Sequence, residues 1–291
     1  MSYNKVVFED IYDDCLKIMQ KSNDRNVVKK QKCFEQYYNE VTTTDNYNVQ
    51  EFFAIAHELR TYEMLKYLKM KTTANNDDKP GPDFICNLGN LECVTFMQPS
   101  DEKSKKILKS NINRYKAYEP KVSQAIYEKF KKFQKYIEKN NIDQTKPNII
   151  CLNAGICKDD IFPTTLLRIC EKILFGLGYE TLLLNPKTNE EIWFRSYEDT
   201  IQNHNEKEID INFFNFNEFS IISAVLLIIN SVDEQYSKPI LFINPKANVK
   251  IDKRKIKKFL CLEKVSKDTY EYFNNGKQTL PYQYNGIYRD N

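Results

Sequence analysis

From Phe8 onward the apolar positions fall at helical spacing: Phe8, Ile11, Tyr12, Cys15, Ile18 and Met19 form the stripe that an amphipathic helix turns towards a core. Phe34, Tyr37, Tyr38 and Val41 repeat the pattern, which predicts a helical N-terminal extension over residues 1–48. The polar tract TTTDNYN closes it, with Asp45 or Asn48 placed to cap a further helix over about 49–70. A Pro-, Gly- and Asp-rich loop then leads into a short extended run at 83–87, a turn at Leu88-Gly89-Asn90, and a Val- and Thr-bearing strand at 91–97. These predict a hairpin. A long helix over about 120–140 is expected to open after Pro120, and the apolar run NIICLNAG after Pro147 reads as a buried strand. Pro163 and the pair Gly176 and Gly178 bracket another helix, with a strand near 181–185. The stretch 219–230 reads as helix or strand, and PILFINP at 239–245 as a strand. The order α, β, β, α, β, α, β predicts an α/β fold with a mixed central sheet flanked by helices. The core is assigned to 49–250, and 251–291 to a basic and aromatic C-terminal extension.

Composition narrows the functional classes. Charged residues make up 29% of the chain but the net charge is only +3, so bulk charge does not mark a nucleic-acid binder and any basic surface must be local. Two such segments stand out, Lys103, Lys105, Lys106 and Lys109, and the run KIDKRKIKK at 250–258. A charge run is more often a solvated helix face than a phosphate contact. The 19 tyrosines and 18 phenylalanines are mostly core at this abundance, though some could stack on bases. The eight cysteines are scattered, with no CxxC pair and no nearby His to complete a zinc quartet, so no structural metal site is expected. Several sit in apolar runs as small buried hydrophobes, which suits a reduced, cytoplasmic setting. The acidic start of the chain lacks the apolar segment of a signal peptide. The longest apolar run, 221–229, is interrupted by Ser223 and falls short of the ~20 residues that span a bilayer, so no membrane partner is expected.

The stretch GPDFICNLGNLECVTF carries the most chemistry. It sets Asp83 at the start of one strand and Glu92, nine positions later, in the middle of the next, where a hairpin brings the two carboxylates together. With the backbone carbonyl of Cys93 beside them they form an oxygen-rich site that suits Mg²⁺ or Mn²⁺. Such an ion activates water and neutralises charge on a phosphate. Taken singly, an Asp after Pro is a common turn residue and a strand Glu usually faces water. Glu92, however, sits in the otherwise apolar or β-branched LECVTF, where an unpaired carboxylate is costly.

Glu58 in AHELR, then Pro82-Asp83-Phe84, then Glu92-Cys93-Val94-Thr95 resembles the PD-(D/E)XK nuclease superfamily, in particular a branch with a helix-borne Glu, GPDF and iEaVT. The resemblance implies a restriction-endonuclease-like core in which Asp83 and Glu92 hold the metal and Glu58 contacts it through water. In that pattern a Lys stands two positions after the Glu, and here Val94 occupies the place. Either the lysine has moved or catalysis has been lost. The helix KVSQAIYEKFKKFQKYI supports a move. At about 100° per residue, Val122, Ala125, Ile126, Phe130, Phe133, Tyr136 and Ile137 form one apolar stripe. Lys129 falls inside it, while Lys131, Lys132 and Lys135 lie towards the other side. A lysine there can snorkel from the core edge, or direct its ammonium at the carboxylate pair. The resembling branch has a similar AxxxK(x)nQY helix followed by a VIAIN-like strand, and the likeness extends to NPKA at 244–247.

Glu63 competes with Glu58, but five residues on a helix separate them by about 140°, so only one serves a given site. His57 and His204 carry less weight, a lone His being more often structural. The sequence thus leads to a Mg²⁺-dependent nuclease hydrolysing DNA, with RNA also possible as substrate and a dimer possible. The alternative is a nuclease-derived fold that has lost catalysis and acts as an interaction or host-directed factor.

Overall fold

The computed structural model describes residues 5–43, 49–75, 80–96, 115–153, 163–184, 188, 191–203, 205–228, 239–265, 270–274 and 277–278. Among them are helices α1 (Lys5–Lys21), α2 (Arg25–Thr43), α3 (Val49–Tyr67), α4 (Tyr115–Glu138) and α5 (Pro163–Phe175). Nine strands form one mixed sheet. In spatial order they are β1 (Thr72–Ala74), β2 (Phe84–Cys86), β3 (Asn90–Thr95), β4 (Asn148–Asn153), β9 (Ala224–Ile228), β10 (Ile240–Ile243), β11 (Leu260–Lys264), β12 (Tyr270–Asn274) and β13 (Lys277–Gln278). Two small hairpins stand apart, β5 (Leu177–Leu184) with β6 (Glu191–Tyr197) and β7 (Thr200–Gln202) with β8 (Glu208–Asp210).

β1, β2 and β3 form an antiparallel meander, after which α4 carries the chain across to β4, parallel to β3. Alternate side chains of these strands feed two separate cores. Leu91, Cys93, Ile149 and Cys151 face α1, α2 and α3, where Phe34 stacks on Phe52 and Phe8 meets Phe52 edge-on in one aromatic cluster. Ile150, Leu152, Val225 and Leu227 face α4 and α5. The result is a three-layer α/β/α arrangement with the sheet in the middle.

Several boundaries differ from expectation. α4 begins at Tyr115 and contains Pro120 rather than starting after it. Packing extends it past the proline: Ala117 and Tyr118 are buried, and Glu119 is ion-paired to Lys172 at 2.9 Å and accepts the Tyr179 hydroxyl at 2.8 Å. The ambiguous 219–230 stretch is, over its described residues to 228, a 3-10 turn (Asn217–Ile221) followed by β9. The sheet also runs past residue 250: β11 pairs in parallel with β10, and β12 and β13 continue it, so part of the expected C-terminal extension is sheet.

The β2–β3 turn is held by a close approach that only glycine permits. A Cβ on Gly89 would lie 2.1 Å from the Pro147 carbonyl oxygen. That same carbonyl accepts the Asn90 N–H at 2.8 Å, which locks the hairpin to the start of β4.

Candidate active site

Asp83 stands at the entry to β2, beside the middle of β3, and its Oδ2 accepts the backbone N–H of Cys93 at 2.6 Å. Within an extended strand a residue's N–H and C=O point to the same edge. The Cys93 carbonyl therefore faces the edge on which the Asp83 carboxyl sits. Glu92, the preceding residue, projects towards α4 and is 0% exposed. Its burial is compensated by three donors from successive turns of one helix. Lys129 Nζ lies 3.0 Å from Oε1, Lys132 Nζ also bonds Oε1, and the Tyr136 hydroxyl donates to Oε2 at 3.4 Å. Lys132 was expected on the far side of the helix. On a helix, residues three apart lie on adjoining ridges, and its long stem reaches back from there. Lys131 and Lys135 are exposed, as their positions imply. Val94 packs on the same face as Glu92, so ammonium groups reach that face from α4 instead of from β3.

Glu58, on α3, belongs to the opposite layer, where its Oε2 pairs with Lys30 of α2 at 2.8 Å. Glu63 is exposed. The N-terminal helices thus contribute a charge next to the site. Burial, then Glu58 and Glu92, push the Asp83 carboxyl well above the usual carboxylate range, offset only in part by Lys129 and Lys132. Burial lowers the Lys132 ammonium, but Glu92 and Asp83 outweigh that and carry it above its ordinary value. Three carboxyl groups from α3, β2 and β3 and two ammonium groups from α4 therefore share one electrostatic neighbourhood.

Behind β3 lies a feature that sequence spacing did not suggest. The ligand atoms of His57, Cys93 and Cys151 all lie within 4.8 Å of one another, and all three residues are buried. Cys93 and Cys151 are register partners across the β3–β4 ladder, so parallel pairing joins residues far apart in sequence. Burial pushes the Cys93 thiol up. For Cys151 burial acts the same way, but hydrogen bonds with Cys93 and His57 win and hold it below the ordinary thiol value.

The other candidates have structural partners. Asn244 of the NPKA segment is buried, donating to the carbonyls of Phe219 and Ile222 at 3.0 and 2.8 Å and accepting the Lys246 N–H at 2.9 Å, a turn lock. The basic 250–258 run forms a 3-10 turn capped by Asp252, not a helix face. Lys255 there donates to the Asn87 carbonyl at 2.8 Å, at the end of the hairpin remote from Asp83. Lys103, Lys105, Lys106, Lys109 and His204 lie outside the described residues. No helix among the described residues is long and apolar enough to cross a membrane. In comparison with known proteins, no family model, no curated protein and no solved structure matches the chain.

Proposed function

We propose that the chain is a metal-dependent phosphodiesterase of the PD-(D/E)XK type, with a restriction-endonuclease-like core, that cleaves nucleic acid, DNA before RNA, in the cytoplasm. The observation that carries this reading is the crowding of carboxyl groups at the hairpin: Asp83, its Oδ2 on the Cys93 N–H, shares its surroundings with Glu58 and with the fully buried Glu92. A divalent cation is the species that relieves such crowding. The donors on offer, Asp83, Glu92 and the Cys93 carbonyl, are hard oxygens of the kind Mg²⁺ and Mn²⁺ take. When bound, the ion supplies an acidified water and neutralises charge on the scissile phosphate. Asp83 and Glu92 would hold it, and Glu58, kept in place by Lys30, would orient a water at its edge. Lys129 and Lys132 then have less carboxylate charge to neutralise and present their ammonium groups to the phosphate and the developing oxyanion. Lys129 is the main candidate, being 20% exposed against 41% for Lys132 and so better shielded from solvent.

The test is cleavage of plasmid and single-stranded DNA with and without Mg²⁺ or Mn²⁺, with RNA in parallel. Asp83→Ala and Glu92→Gln are expected to lower the rate by at least ~100-fold, the scale of losing a group that stabilises the transition state. Activity that persists in both variants removes these residues from the mechanism.

A second reading is favoured by Glu92 itself. With two lysines and a tyrosine already on it, this carboxylate is satisfied without a metal, and Val94 stands where the resembled pattern has Lys. A nuclease-derived fold without catalysis, serving as an interaction or host-directed factor, would look the same. Calorimetric titration with Mg²⁺ or Mn²⁺ separates the two. Saturable binding that Asp83→Ala abolishes supports the enzyme, and no such binding supports the inactive fold.

A further inference from the structure

We infer that His57, Cys93 and Cys151 form a second, thiolate-rich metal site on the reverse face of β3, selective for Zn²⁺ over the hard cations suited to the front. The inference stands on geometry independent of the nuclease reading. The imidazole and two sulfurs converge within 4.8 Å, with exposures of 3%, 5% and 0%. Each comes from a different element, α3, β3 and β4, so none depends on a flexible loop. Imidazole with two thiolates is a set that zinc uses and magnesium avoids.

One tautomer of the ring leaves a single nitrogen, Nδ1, for a metal. Nε2 lies 3.4 Å from the backbone carbonyl of Cys151, as a donor N–H would. Nδ1 sits among the side chains of Asn153 (2.8 Å) and Thr61 (3.3 Å), with the Thr61 hydroxyl 3.8 Å from Cys151 Sγ. A ligating histidine commonly anchors its remote N–H on a carbonyl in this way, and a metal at Nδ1 would take the place of the Asn153 amide donor that this nitrogen now accepts. An oxygen for a fourth position is at hand in the Thr61 hydroxyl. The buried hydroxyl of Thr95, on the same strand face as Cys93, has no hydrogen-bond partner among the described residues.

Charge explains why a metal suits so dry a place. One Zn²⁺, two thiolates and a neutral imidazole sum to zero, so the assembly avoids the cost of burying a net charge. Binding must release the two thiol protons, and no electron is transferred. The site would tie α3 to the β3–β4 ladder directly behind Asp83 and Glu92.

The experiment uses the full chain, reduced and chelator-treated, then titrated with Co²⁺ and Zn²⁺ and, in parallel, expressed in medium supplemented with each. The expected result is one Co²⁺ per chain with the intense ultraviolet bands of thiolate-to-cobalt charge transfer and visible bands of tetrahedral strength. Zn²⁺ should displace it, with close to two protons released per ion when titrated at a pH below the thiol range. Cys93→Ser and Cys151→Ser should each abolish the thiolate bands. Cys33→Ser, at an exposed thiol, should leave them unchanged. Asp83→Ala and Glu92→Gln should also leave them unchanged, which separates this site from the carboxylate site whatever the nuclease assay shows. Should the serine variants fail to fold, the wild-type spectrum and metal content decide. Absence of thiolate bands in the folded, reduced wild type, bands that persist in a folded Cys93→Ser and Cys151→Ser double variant, or a Cys93–Cys151 disulfide as the stable form would each overturn the inference.

Discussion

Asp83 carries a penalty that a metal would lift, and the penalty has a pH signature. Its folded-state affinity for a proton is raised above that of the unfolded chain, whose Asp titrates near 3.8. The stabilising contribution is complete below that value and is lost as pH rises through the raised folded value. Asp83→Asn keeps an acceptor for the Cys93 N–H and removes the charge. The metal-free variant is therefore expected to melt above wild type at neutral pH, with the gap closing as pH falls towards 4. Each kcal/mol regained corresponds to about 2–4 °C in a domain of this size. Scanning calorimetry across pH checks this, and saturating Mg²⁺ should narrow the gap by rescuing wild type alone. The lysines divide differently. Lys129→Met or Lys132→Met leaves Glu92 one ammonium, while the double variant strands a fully buried carboxylate, a change that costs about 3–5 kcal/mol. Denaturant melts of the three should show a loss greater than the sum of the singles, since both amines serve one oxygen. Glu92 and Asp83 were legible as a pair from the hairpin that joins them. Lys132 was not, because helical angle alone ignores the reach of a lysine stem. The His57, Cys93 and Cys151 cluster was hidden for another reason. Metal motifs are read from local spacing, and here the cysteines meet through strand register and the histidine reaches them from a packed helix.

At the scale of elements, α5 is fastened by a polar network that no periodicity announces. Glu171 is buried and lies 2.8 Å from both Arg168 and Arg195, and it also accepts the Tyr272 hydroxyl, linking α5 to β6 and β12. Burial raises its carboxyl, but Arg195 and Arg168 overcome this and hold it below the usual range. Its contribution is thus present above the unfolded value and lost as pH falls through the lowered one. Glu171→Ala leaves two guanidinium groups poorly compensated and is expected to cost about 3–5 kcal/mol, measured by urea unfolding. The hairpin turn is equally exacting. Gly89→Ala must push the chain off the Pro147 carbonyl, and we expect a loss of at least about 2 kcal/mol by the same measurement. Helices α1 and α2 and strands β3, β4 and β10 were legible because each shows an apolar stripe or run, whereas α3, buried on several sides, was legible from the polar tract before it. The short strands β1, β7 and β8 offer too few residues for a period to emerge, and the start of α4 was obscured by Pro120, which local rules treat as a boundary.

For the whole molecule, the sheet's continuation through β11 makes a specific claim about where the fold ends. The expected boundary at residue 250 follows the basic run, yet Leu260, Cys261 and Leu262 are core residues paired to β10. A chain truncated after residue 250 would bare the β10 edge and the apolar side chains on both its faces. It is expected to aggregate, whereas the full chain should elute as a folded species in size-exclusion chromatography. The layered α/β class was legible from the alternation of patterns; the extent of the sheet was not, since charge dominates the segment leading into β11. Glu92 and Cys93 serve opposite sides of one strand only because the turn before them has a fixed length. Gain or loss of a single residue at 88–89 would turn β3 over, offering sulfur to the lysines and a carboxylate to the imidazole. A turn between strands is ordinarily where evolution tolerates changes in length most freely; in this chain the turn is buried, and such a change would scramble both chemistries at once.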